Sequence, residues 1–163
     1  SSIPFLFSSP LIPTLLSAAF LFYTIYPRVK GYMYEWYQLE GNYGDTYFTA
    51  MATILIPLTW YYDLWAGTLA LMLMGVGDAV TGYVRWWVYG GRVKGAWGTV
   101  AMIAFCAPMG YVLYGSTHGW NVAWIGAASA IVASIVEKSD VIDDNITIPI
   151  SSMATMVVLD LLF

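Results

Sequence analysis

Charge is what this sequence has least of: ten acidic and six basic residues among 163, or 10%. Soluble domains carry about a quarter of their residues as charges to dress a water-facing surface, so a fold surrounded by water is excluded. A single cysteine, Cys106, rules out an internal disulfide framework and any site built from several thiolates. The single histidine, His118, lies in Ser116-Thr117-His118-Gly119-Trp120 and reads as an interfacial loop residue rather than a catalyst. Six basic residues against a net charge of −4 leave no basic stripe for a nucleic acid. Internal repeats and low-complexity tracts are absent too, and one domain over residues 1–163 is expected.

What is abundant is apolar. Hydrophobic residues make up 60% of the chain and aromatic residues 17%, and the mean hydropathy is +0.68. Lipid is the expected solvent. Six apolar stretches stand out, at 4–26, 46–62, 64–83, 99–115, 120–136 and 148–163, several near the ~20 residues that cross a hydrocarbon core. They lack the alternation of barrel strands, and backbone groups in lipid must be satisfied internally. The expected fold is therefore an all-α integral membrane bundle of about six transmembrane helices. The first stretch has no basic leader and carries Pro4, Pro10 and Pro13, so it reads as a bent membrane helix, not a cleaved signal. The chain opens on Ser1, and native residues are expected upstream of it.

Arg28 and Lys30 follow the first stretch, Arg85, Arg92 and Lys94 the third, and Lys138 the fifth. All six basic residues thus mark one face, which the positive-inside rule assigns to the cytoplasm. Residues 27–45, with Tyr32, Met33, Trp36, Tyr37 and Glu40, fit an amphipathic helix lying at the interface.

Chemistry concentrates at that same face. Glu137-Lys138-Ser139-Asp140-Val141-Ile142-Asp143-Asp144-Asn145 gathers four carboxylates beside apolar helices, and clustered anions are costly unless a cation neutralises them. Asp78, Thr81, Gly82 and Arg85 recur at helical spacing near the cytoplasmic end of the third stretch, and an ionisable residue there is by default a functional candidate. A structural Asp78–Arg85 ion pair is the alternative. The connection Gly90-Gly91-Arg92-Val93-Lys94-Gly95, followed by Gly98-Thr99, joins flexible glycines to basic groups, a combination suited to phosphates. Ala130, Ala133, Ser134 and Glu137 share one small-residue face that would let Glu137 approach the third helix. Asp63 reads as a helix cap, and Asp160 as reaching the outer interface.

Phosphoryl transfer needs charge neutralisation and alignment more than covalent help. For such a reaction the expected roles are Asp78, Asp143 and Asp144 as ligands of Mg²⁺ or a similar divalent ion, and Arg85, Arg92 and Lys94 on a triphosphate. Gly98, Thr99 and Asn145 complete the nucleotide contacts. Asp78, Glu137 and Asp140 are the catalytic candidates, with Glu137 or Asp140 accepting a hydroxyl proton.

Gly77-Asp78-Ala79-Val80, Lys94 with Gly98-Thr99, and Glu137 with Asp143-Asp144-Asn145-Ile146-Thr147-Ile148-Pro149 resemble the motif set of the CTP-dependent lipid kinases: dolichol kinase, phytol kinase and the fungal CTP-dependent diacylglycerol kinase. The resemblance covers residues 75–150. Family members usually place Ser or Thr after the lysine, where this chain has Gly95. The resemblance implies a multi-pass enzyme that moves the γ-phosphate of CTP to a lipid alcohol such as a polyprenol or dolichol, with Mg²⁺, at a cytoplasmic-side active site. A more distant similarity to the CDP-diacylglycerol and CDP-archaeol synthases implies a CTP-dependent cytidylyltransferase as the alternative. A small ion or solute carrier is the alternative outside enzymes.

Overall fold

The computed structural model describes residues 6–34, 38, 40–91, 93–139 and 142–163. Arg92 and Asp140, both candidates above, lie outside them, as do Trp36 and Tyr37. With the continuous span Leu64–Tyr89 counted once, six helices form a bundle among the described residues: α1 (Leu11–Val29), α2 (Gly44–Trp60), α3 (Leu64–Tyr89), α4 (Ala96–His118), α5 (Ala123–Val136) and α6 (Asp144–Leu162). The chain is all-helical with long apolar helices, as a multi-span membrane protein requires.

Among the described residues three helices are long and apolar enough to cross a membrane, namely α3, α4 and α6. The 14 residues of α5 rise only about 21 Å, short of a hydrocarbon core of about 30 Å. Helix α1 packs mainly on α2 and leaves Leu11, Leu15, Leu16 and Phe22 exposed. An apolar surface of that extent suits lipid.

The expected segment boundaries shift in informative ways. Helix α6 begins at Asp144, not near residue 148, because Asp143 caps it by accepting from the Asn145 N–H at 2.9 Å. Pro149 consequently sits in the second turn, where it has no N–H to give the Asn145 carbonyl. The interfacial helix expected over 27–45 is not seen: described residues 30–34, 38 and 40–43 are turns or irregular. A polar knot organises them instead. Arg28 Nη2 donates to Asp45 Oδ1 and to the Asn42 carbonyl, both at 2.7 Å, while Gln38 Nε2 donates to Asp45 Oδ2 at 2.8 Å and the Thr24 carbonyl at 3.0 Å. The knot ties the end of α1 to the start of α2.

Two close approaches define the core. Gly110 of α4 and Gly126 of α5 touch backbone to backbone, so that a Cβ on either would run into the other's carbonyl. Small residues are what allow helices to come this near. Inside α3, Leu73–Gly77 forms a π turn, and one extra residue rotates everything beyond it by about 100° around the axis. Leu69, Leu73 and Met74 remain buried before and within that turn, whereas Asp78, the first residue after it, emerges at an exposed edge.

At the end away from the basic residues, Asp63 caps α3 by accepting from the Trp65 and Ala66 N–H groups at 3.0 and 2.9 Å. Its second oxygen lies 2.9 Å from His118 Nε2, and the His118 ring stacks on Tyr114 at 4.0 Å. The Tyr114 hydroxyl in turn donates to Asp160 at 3.3 Å. His118 is therefore the last residue of α4 and a cross-helix fastener, not the loop residue expected from sequence.

Candidate functional site

At the opposite end the C-termini of α3 and α5 meet the N-termini of α2, α4 and α6. Glu137, directly after α5, is wholly buried, and its two carboxylate oxygens accept from Arg85 Nη1 and Nη2 at 2.7 Å each. The approach of Glu137 to α3 expected from the small-residue face is thus realised: Ala130, Ala133 and Ser134 are all fully buried beneath it. The ion pair drawn between Asp78 and Arg85 is not formed; Arg85 turns to Glu137 instead. Removing one member of such a pair leaves a lone buried charge, at a cost of about 3–5 kcal/mol.

The single face expected for Asp78, Thr81, Gly82 and Arg85 divides in two. Thr81 and Arg85 point into the bundle, while Asp78 and Gly82 lie on its exposed edge. The Asp78 carboxylate makes no hydrogen bond or ion pair among the described residues, although its backbone carbonyl accepts from the Thr81 hydroxyl at 2.9 Å. Its charged neighbours are Asp144, Glu137, Arg85 and Asp143.

Lys94 reaches across from the α3–α4 connection. Its ammonium donates to the carbonyls of Glu137 at 3.2 Å and Ser139 at 3.0 Å, and lies 3.7 Å from Asp144 Oδ2. Asp144 and Lys94 are both part-buried, so their attraction is screened less than that of a surface pair. Asn145 closes the segment by donating from Nδ2 to Asp143 Oδ1 at 3.0 Å. Its amide also faces Gly44, at the first turn of α2, where a Cβ would come within 3.1 Å of Nδ2.

Two nucleotide candidates acquire a different local reason. Gly98 lies under the Arg85 guanidinium, where a Cβ would collide with Nε. Its smallness thus admits Arg85, and nothing else in the described structure asks for it. Thr99, four residues into α4, has a buried hydroxyl without a hydrogen-bond partner among the described residues.

The structure therefore brings Asp78, Arg85, Lys94, Gly98, Thr99, Glu137, Asp143, Asp144 and Asn145 to one end of the bundle. Among the described residues no three His, Cys, Asp or Glu side chains converge as a ready-made metal cage. Mg²⁺ does not require such a cage, since it is commonly held by one or two carboxylates together with substrate phosphates. Arg28, Gln38 and Asp45 were missed in the sequence because no period or motif links positions so far apart, yet their knot sets where Gly44 meets Asn145. Comparisons of the chain with protein-family models, with curated proteins and with solved structures found no match.

Proposed function

We propose that this protein is a membrane-embedded CTP-dependent kinase that phosphorylates the hydroxyl of a lipid alcohol, of the polyprenol or dolichol type, at the cytoplasmic face. The observation that carries the reading is the meeting of the Lys94 ammonium with Asp144 of α6, itself within the field of Asp78 of α3, at the basic end of an apolar bundle. A water-soluble anion and a lipid headgroup can meet only at such a boundary. The resemblance of Asp78, Lys94 and the Asp143–Pro149 segment to the CTP-dependent lipid kinases supports the choice of reaction and nucleotide.

In this reading Lys94 neutralises the β- and γ-phosphates as charge shifts onto the leaving group. Asp144, with Asp143, would hold Mg²⁺, which supplies further charge neutralisation on the triphosphate when bound. The lipid hydroxyl forms the new O–P bond to the γ-phosphorus, the bond from γ-phosphorus to the β–γ bridging oxygen breaks, and CDP departs with the electron pair. The hydroxyl proton passes to a carboxylate. Asp78, at the exposed edge of α3, is better placed for it than Glu137, whose oxygens are both engaged by Arg85.

Incubation of the purified protein with γ-labelled CTP, Mg²⁺ and a panel of lipid alcohols tests the proposal. Label in the lipid is the expected result. Pyrophosphate release with a CDP-lipid product would replace the kinase by a cytidylyltransferase, and no turnover of any nucleotide would remove the enzyme reading.

A further inference from the structure

Arg85 and Glu137 sit at the centre of the site, but neither side chain is arranged to touch a substrate. The guanidinium is 8% exposed and the carboxylate 0%. Both Nη atoms are spent on both carboxylate oxygens, and Gly98 is packed against the remaining Nε. What leaves this closed unit is the backbone. The carbonyl of Glu137 itself, with that of Ser139 two residues on, receives the Lys94 ammonium. A buried bidentate pair is geometrically rigid in a way a single hydrogen bond is not, and here it anchors the very residue whose carbonyl aims the lysine.

We infer that the Arg85–Glu137 pair is a positioning device that holds the C-terminal end of α5 against α3 and so points Lys94 at Asp144. Arg85 acts on the nucleotide only through this chain of contacts, and Glu137 takes no proton. The consequence for CTP rests on the kinase reading above; the placement of Lys94 does not.

Two measurements on the full chain separate these levels. In the first, the purified protein is labelled briefly with an amine-acetylating reagent, and the Lys94-to-Lys138 labelling ratio is read by mass spectrometry. Lys138 is exposed and serves as the internal standard, while the Lys94 amine is shielded by its two carbonyls. Glu137→Gln keeps the size of the side chain but dissolves the ion pair, and the ratio is expected to rise at least threefold. Asp63→Ala, a lesion at the far end of the bundle, should leave it unchanged. An unmoved ratio in folded Glu137→Gln overturns the inference whether or not the protein turns over CTP.

The second measurement is a double-mutant cycle in the lipid-labelling assay. Glu137→Gln should raise the KM for CTP at least fivefold with kcat within about twofold. Combined with Lys94→Ala, it should add nothing to the effect of Lys94→Ala alone. A collapse of kcat at unchanged KM, additive with Lys94→Ala, would make Glu137 the proton acceptor and sink the positioning role. An inactive wild type would count against the kinase while the labelling ratio still decides the placement of Lys94. Should Glu137→Gln fail to fold, the paired change Arg85→Gln with Glu137→Gln leaves no lone buried charge and carries the same expected ratio.

Discussion

Three aspartates in helical, apolar surroundings look alike in sequence but are asked for different things by their neighbours. Asp144 faces Lys94, Asp78 stands within the field of Asp144 and Glu137, and Asp160 only accepts from the Tyr114 hydroxyl at the far end. Asn replacement is a clean probe because it preserves size while removing charge. Asp78→Asn and Asp144→Asn should each lower lipid phosphorylation at least a hundredfold without lowering the thermal unfolding midpoint in detergent. Asp160→Asn should retain at least half the activity, since an amide oxygen still accepts from Tyr114. Equal activity in all three variants would refute the assignment of Asp78 and Asp144 to the site.

At the scale of elements, the ends of the helices carry the information. Asp63 illustrates how one side chain serves two elements: one oxygen caps α3 and the other meets His118 at the end of α4. Asp63→Ser should keep the cap and lose the reach to His118, whereas Asp63→Ala loses both, and the cap alone is worth about 1 kcal/mol. Detergent thermal unfolding should therefore rank wild type above Asp63→Ser above Asp63→Ala. If Ser and Ala are equally destabilised, the cap contributes nothing. The π turn of α3 matters at this scale too, because it is what lets a helix buried through Leu73 and Met74 deliver Asp78 to an open edge.

For the whole molecule the governing fact is polarity along the bundle axis. Arg28, Lys30, Arg85, Lys94 and Lys138 gather at the end that carries the candidate site, and the Asp63–His118 fastener closes the other. The positive-inside rule predicts an orientation with the site toward the cytoplasm. In a Cys106→Ala background, an impermeant thiol reagent applied to intact cells should modify Asn121→Cys and spare Val93→Cys until the membrane is opened. Both positions are exposed, so the opposite pattern would invert the proposed orientation.

Composition alone determined that this chain belongs in lipid, because 60% hydrophobic residues with 10% charge leave no way to clothe a soluble surface. Helical periodicity determined that the small-residue face ending at Glu137 would turn inward, since that pattern is local and the sequence displays it directly. The partners were decided only in three dimensions. Arg85 is seven residues from Asp78 and 52 from Glu137, and local spacing offered the nearer acid as the alternative partner; the place of α5 in the bundle supplied the farther one. Likewise the tether of Lys94 to two carbonyls and the knot of Arg28, Gln38 and Asp45 join groups that no local repeat relates. Ion pairs and hydrogen bonds over such separations depend on where whole helices end, and those ends are set by tertiary packing.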